Sequence, residues 1–281
     1  MILPRLPTGI FIMGLLSFLF GCAEKEAPFQ EKGGLWHYRE LRIEDADAKT
    51  FQVINENYAR DKGRVYYGDT YRKGQEYYMI KHSRLRVLDG ADPATFRYLN
   101  YDYARDKAAV FYEGVAFPVK DVQTFELIDR AFARDRVTGY YQQRPIPGSD
   151  GTSFTRVDDR YSKDARHVFH SATEPRGTDP IRRSTLVKGA LPGSFKILDI
   201  HGHAADAAQA YYRGELVTKD VASFKVLDLG YAKTATRVYY DGKPIPQADA
   251  ASFAMLEPET DPADAKDRSS TYKRGKKVQP Q

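Results

Sequence analysis

Six histidines, one cysteine and a recurring series of aspartates are the side chains of this 281-residue chain whose types could do chemistry. Two histidine pairs have the spacing of metal ligands, His167 with His170 and His201 with His203. A zinc site needs a third or fourth ligand and groups that orient its imidazoles. The sequence supplies no such cluster, so neither metal nor cofactor is expected; His201 and His203 are the weak candidates, with Asp206 close behind them. The aspartates come singly at turn positions, where a carboxylate bonds its own backbone, whereas a calcium loop gathers several oxygens close in sequence. A Gly-rich phosphate loop, a GxSxG elbow and an HExxH pattern are all missing, and no catalytic residue is expected.

What must position these residues is a repeat. Phe51, Phe96, Phe125, Phe154, Phe195, Phe224 and Phe253 each follow Ser or Thr, and four of the six intervals between them are 29 residues. An Asp precedes most of them by four positions, as at Asp47, Asp92, Asp121, Asp150, Asp220 and Asp249, and apolar residues follow, as in Val53-Ile54. Next comes an aromatic-Ala-Arg-Asp block, Tyr58-Ala59-Arg60-Asp61 in the first copy, and then a Val-Tyr-Tyr block, Val65-Tyr66-Tyr67. Asp92-Pro93 and its equivalents read as the N-cap and first turn of a short helix. The two later blocks read as strands joined by a polar turn, and Asp241-Gly242 signals a hairpin into a third. With 20 Tyr and 15 Phe against 4 Met, composition also favours strands.

The expected fold is therefore mainly β: tandem repeats of about 29 residues, each a short helical turn plus a β-meander, stacked in an open curved array over residues 35–281, about seven units. A unit this small cannot bury an apolar face alone, so neighbours must stack. Closure into a propeller-like ring is the other architecture, but blades usually need about 40 to 45 residues. Leu35-Trp36-His37-Tyr38 looks like a half unit capping one end, and the last unit, which loses its aromatic, caps the other.

Adjacent strand residues face opposite ways, so Tyr66, Phe111, Tyr140, Phe169, Tyr211 and Tyr239 form a row. Exposed, that row would be a binding surface for sugar rings or a partner protein; the two phenylalanines in it favour a core position. Two intervals, of 45 and 41 residues, hold insertions. The first, with Tyr77-Tyr78, reads as an added hairpin; the second, with Pro175, Gly177 and Pro180, reads as a hinge or a protruding loop. The fifth copy departs most: Gly202 stands where the aromatic is expected, and Asp206 comes one position late. Departures from a regular scaffold are where function is most often carried.

This order of blocks resembles the DKNYY family of bacterial repeat proteins, most closely at Asp61-Lys62 leading to Tyr66-Tyr67 and Asp106-Lys107 leading to Phe111-Tyr112. The resemblance spans roughly residues 35 to 281 and implies an architecture, with no activity attached.

Residues Ile10 to Phe20 form an apolar run after Arg5, the core of a signal peptide covering residues 1–21 and too short for a permanent span, which takes roughly 20 residues. It ends at Leu19-Phe20-Gly21-Cys22, which resembles a lipobox, where bacterial lipoproteins are diacylated and cleaved. Cys22 has no disulfide partner in the chain, so its expected role is lipidation. Residues 22–34 would be the tether. Ala23 after the cysteine implies the outer membrane if the host is Gram-negative. The formal charge of +5 is interleaved with acids except in the tail at Lys273, Arg274, Lys276 and Lys277, so nucleic acid is not an expected partner. These features point to a lipid-anchored envelope repeat protein, a non-catalytic scaffold or binding module for an envelope protein or glycan. The competing expectation is an envelope hydrolase or metal-dependent enzyme with its site in the fifth copy.

Overall fold

A computed structural model of the chain describes residues 26–177, 180–257 and 263–278. The described residues form eight antiparallel sheets in chain order, a three-stranded cap followed by seven four-stranded layers. The cap comprises Phe29–Lys32, Leu35–Tyr38 and Leu41–Arg42. Its first strand lies inside the stretch expected as tether, and Phe29 is buried, so the folded body starts before Leu35.

In the first layer Gln52–Val53, Tyr58–Arg60, Val65–Tyr71 and His82–Val87 run as a meander. The two central strands pair Tyr58 with Tyr67, Ala59 with Tyr66 and Arg60 with Val65. The two residues after the signature Phe are thus the opening strand of the layer. The turn before it is hydrogen-bonded (Thr50 N–H to Asp47 O, 3.1 Å), and its counterpart before the third layer is a 3-10 helix at Val122–Thr124, where the Asp121 carboxylate caps the Gln123 N–H.

Period-two alternation gives each layer inside the stack two apolar faces, and both are covered. Ala59 and Tyr66 pack toward the cap against Tyr38 and Phe51, while Tyr58, Val65 and Tyr67 pack toward the second layer against Leu88 and Phe96. The signature Phe fills the seam: Phe96 lies 5.5 Å from the Tyr58 ring of the layer before and 5.8 Å from Phe111 of its own. The result is an open stack of sheets rather than a ring. Each end is finished differently. Trp36 of the cap stacks on Phe51 at 4.3 Å. In the last layer Asp264 replaces the aromatic and pairs with Lys273 at 3.1 Å, so this end of the stack carries charged groups where the inner layers carry rings.

Glycine is needed where hairpin turns meet the next seam. Glu113 and Gly114 both have positive φ (48° and 71°), the backbone of a two-residue hairpin turn, and a Cβ on Gly114 would lie 2.5 Å from the Tyr67 ring. Gly214, Gly242 and Gly275 meet His170, Tyr212 and Tyr240 in the same way.

The insertions prove to be one device used twice. In the first and fourth layers the last two strands lengthen into projecting hairpins, Val65–Tyr71 with His82–Val87 and Val168–Glu174 with Ile181–Leu186. The second insertion is therefore a paired hairpin and not a hinge. The fifth layer is more regular than its sequence suggests: His203 pairs with Tyr212 as Tyr58 does with Tyr67, so His203, not Gly202, takes the aromatic position. The extra residue is absorbed in the preceding turn, where Asp199 Oδ1 accepts the N–H groups of His201, Gly202 and His203. Among the described residues no helix is long and apolar enough to cross a membrane.

Candidate functional site

The aspartate of each aromatic-Ala-Arg-Asp block is buried, and where a tyrosine follows it the carboxylate accepts four hydrogen bonds. Asp135 Oδ1 accepts the N–H groups of Val137 and Thr138 at 2.7 and 2.8 Å, and Oδ2 accepts the Asp121 N–H at 2.8 Å and the Tyr140 hydroxyl at 2.5 Å. Asp61 does the same with Gly63, Arg64, Asp47 and Tyr66. Burial pushes the Asp61 carboxyl up, but the hydrogen bonds from Tyr66 and these three backbone N–H groups outweigh it, and its pKa falls below the usual carboxylate range. The Tyr66 phenol is driven above its ordinary value by burial and by donating to that carboxylate. A carboxylate whose four acceptor sites are all filled, as in Asp61 and Asp135, has none left for a substrate proton.

The Ser or Thr before each signature Phe closes the same knot. Thr50 Oγ1 accepts the Lys62 N–H at 3.1 Å, Thr124 that of Arg136 at 2.9 Å, and Ser223 that of Ala235 at 2.9 Å. Nothing in the spacing of the sequence identified that role.

The row Tyr66, Phe111, Tyr140, Phe169, Tyr211 and Tyr239 is buried throughout, so it is not a binding surface. Stacking covers it, because each of these rings faces the layer before.

The histidines do not assemble a site. His203 is fully buried at the seam between the fifth and sixth layers, with Nδ1 2.7 Å from Asp199 Oδ2 and no hydrogen-bond partner at Nε2. His201 lies in the turn, half exposed, with its Nε2 3.9 Å from Asp228. His170 is buried beneath Gly214 and against Tyr161, at the position of Tyr67; burial first, then the Arg160 and Arg213 charges, lower its pKa to about 4. His167 sits outside that strand beside Asp164. Among the described residues no group of three or more His, Cys, Asp or Glu is placed to hold a metal ion. Cys22 lies outside the described residues.

A further set of cations, unremarked in the sequence, bolts layer to layer. Arg60 reaches the Pro93 carbonyl at 2.7 Å, Arg105 that of Val122 at 2.6 Å, Arg134 that of Phe154 at 3.2 Å, Lys163 that of Pro192 at 2.8 Å and Lys233 that of Phe253 at 2.9 Å. A phenol repeats the theme: Tyr58 Oη donates to the Asp102 carbonyl and accepts the Gly114 N–H, both at 3.0 Å.

The family model described as the DKNYY family matches residues 24–115, 69–144 and 132–277, three overlapping segments that together span nearly all the described structure. The chain belongs to the DKNYY family. The DKNYY signature now has a physical meaning: its Asp is the saturated carboxylate, its first Tyr the hydroxyl donor to it, and its second Tyr the ring on which the next hairpin glycine rests. A search of curated proteins and a search of solved structures returned no match to the chain.

With the repeated side chains committed to the stack, what this DKNYY protein offers to other molecules is its outer surface. One recess, about 630 Å³, lies between turns of the second, third and fourth layers around Tyr101, Arg130, Gln142 and Arg160, and is open and shallow. The two long hairpins project beyond the regular layers. The fourth-layer hairpin leans on the third, with Thr173 Oγ1 and Arg182 Nε both donating to Gln142 Oε1, at 3.1 and 3.0 Å.

Proposed function

We propose that this DKNYY protein is a non-catalytic scaffold or binding module of the bacterial envelope, held by lipid on Cys22, whose surface contacts an envelope protein or glycan. The observation that carries the non-catalytic part is the saturation of the repeated aspartates, since the most frequent acidic side chains of the repeat are spent on turns and layer contacts. The anchor rests on Cys22 falling at the end of the apolar segment. Each buried CH₂ of an acyl chain contributes roughly 0.8 kcal/mol, so two or more chains hold a protein to a bilayer stably. Ala23 favours the outer membrane in a Gram-negative host.

Cells expressing the wild-type chain and Cys22→Ala are to be fed a palmitate analogue and fractionated. Label on the wild type alone, with release of the variant from the membrane fraction, is expected; a variant still labelled at the same level sinks the anchor. Crosslinking of the anchored protein in its own envelope then identifies the partner. A zinc enzyme centred on His203 has only the Asp199 contact in its favour, and stoichiometric zinc that disappears in His203→Ala would overturn the scaffold proposal.

A further inference from the structure

The tip of the first-layer hairpin is built unlike the rest of the surface. Tyr77, Tyr78, Met79 and Ile80 are consecutive and all exposed, Tyr78 and Met79 at 88% and 82%, with Tyr71 exposed nearby. Arg72, Lys73 and Lys81 flank them, also exposed. Four large apolar residues in a row at a loop tip are a feature soluble surfaces avoid unless something covers them.

The tip is held in shape by its own bonds. A 3-10 turn at Gly74–Glu76 continues into N–H bonds from Met79 and Ile80 to the Glu76 carbonyl at 3.0 and 2.9 Å. Arg72 donates to the Tyr77 carbonyl at 2.8 Å, and the one acid, Glu76, is occupied by His82 Nε2 at 3.1 Å. The apolar side chains are therefore presented by the loop while Lys73, Lys81 and the remaining N–H groups of Arg72 stay available.

The fourth-layer hairpin supplies the comparison. It is built on the same strands of its layer, yet its connecting sequence, Pro175 to Pro180, contains no large apolar residue. Hairpin formation does not require the tip of the first layer to be apolar.

Position adds a second argument. The first-layer hairpin packs on the cap, where a hydrogen bond from Ser83 helps hold the Glu40 carboxyl below its usual pKa range. Glu40, Arg39 and Glu26 line one recess, so the chain enters the fold beside the base of the hairpin. Cys22 is four residues ahead of Glu26, a reach of at most about 14 Å. A membrane held through Cys22 thus lies at the hairpin's end of the stack.

The geometry points to the Tyr77–Ile80 tip as a lipid-contacting element that enters an anionic bilayer surface, its aromatic rings at headgroup depth and Arg72, Lys73 and Lys81 on the phosphates. Tyrosine is suited to this boundary because its ring is apolar and its hydroxyl wet, and lysine and arginine keep their charge at the surface while their stems lie along apolar groups. This second membrane contact shares its setting with the lipid anchor proposed above and would fix the orientation of the stack, which a flexible lipid attachment alone leaves free.

The test uses the full chain carrying Tyr78→Trp, incorporated into vesicles of phosphatidylcholine alone or in equimolar mixture with phosphatidylglycerol, with brominated acyl chains as quencher. The emission of native Trp36, recorded in the unsubstituted chain, is subtracted, leaving that of the indole introduced at the tip. Expected are a blue shift and quenching of this tip indole in the mixed vesicles, loss of both when Lys73→Glu and Lys81→Glu are added, and no quenching in a separate Ile200→Trp chain, whose indole sits at the 89% exposed position of the fifth layer. An unquenched tip indole on a vesicle-bound chain overturns the proposal. So does quenching that is equal without phosphatidylglycerol, or a blue shift without vesicles that grows with protein concentration, which assigns the tip to a second copy of the chain. Failure of the anchor shows separately, as absence of acyl label on Cys22, and leaves the fluorescence measurement intact.

Discussion

Tyr66 donates its hydroxyl proton to Asp61 Oδ2 at 2.7 Å, and the bond recurs between Tyr140 and Asp135, Tyr211 and Asp206, and Tyr272 and Asp267. In the second and fourth layers Phe111 and Phe169 stand at the Tyr position, and Asp106 and Asp164 keep only their three backbone donors. The same carboxylate thus organises a turn in each of these layers and gains a fourth bond in four of them, which allows its contributions to be separated by mutation.

Asp135→Ala leaves three N–H groups and the Tyr140 hydroxyl without their acceptor. An unsatisfied buried donor costs about 1–3 kcal/mol, so with partial relief by water a loss of about 3–4 kcal/mol is expected. Asp106→Ala should cost about 1 kcal/mol less, because no hydroxyl is stranded there. Urea unfolding followed by circular dichroism measures both; equal losses would show that the tyrosine adds nothing.

Stability should depend on pH in two steps. Burial lowers the His170 pKa from 6.5 to about 4, so the native chain stays neutral there while the unfolded chain takes up a proton. Stability is then complete above pH 6.5 and declines as pH falls toward about 4, where the native imidazole also titrates. The carboxyls of Asp61, Asp135, Asp164 and Asp206 are held below 3.8, so their contribution is present above that value and lost as pH falls further. His170→Tyr, which places there the residue found at Tyr67 and Tyr212, should abolish the first step and spare the second. Urea midpoints measured across this range decide it, and an unchanged profile in the variant excludes His170 as the source.

Two glycines with nearly the same φ should respond differently to alanine. Gly90 (φ 72°) has open space around it, so Gly90→Ala costs the left-handed backbone penalty alone, about 1–2 kcal/mol. Gly114 (φ 71°) would drive a Cβ into the buried Tyr67 ring, and Gly114→Ala should cost about 3 kcal/mol in total once the overpacking is added. Thermal unfolding of the pair provides the comparison, and similar losses would mean that the turn moves off the ring.

The seam between the fifth and sixth layers keeps the Tyr212 hydroxyl bond to Asp241 at 2.6 Å but lacks several contacts that the other layers share. Ala205 stands where Arg60, Arg105, Arg134, Lys163 and Lys233 bolt the other layers, and Thr234 replaces the buried Asp, so the Asp220 N–H turns to Thr218 instead. His203, shorter than tyrosine, leaves Nε2 without a partner. Native-state hydrogen exchange should therefore open first here, and Ala205→Lys combined with Thr234→Asp should slow it by about tenfold, the equivalent of one or two added hydrogen bonds. Fastest exchange at another seam would contradict this ranking.

Much of this architecture can be read from spacing alone. The 29-residue interval of Ser/Thr-Phe, the aromatic-Ala-Arg-Asp block and the paired aromatics determine the strands, their order and the need to stack, because local alternation and turn chemistry are written within each copy. Only the tertiary structure decided which groups meet. The aromatic row was ambiguous because a strand's second face is solvent or core depending on what lies against it, and here the preceding layer covers it. The Arg60 to Pro93 bolt and the Tyr58 to Gly114 bond join residues 33 and 56 apart, so no local pattern announces them. His203 could be assigned to the aromatic position only through its pairing with Tyr212, since an extra residue in the preceding turn shifts the sequence count without shifting the strand.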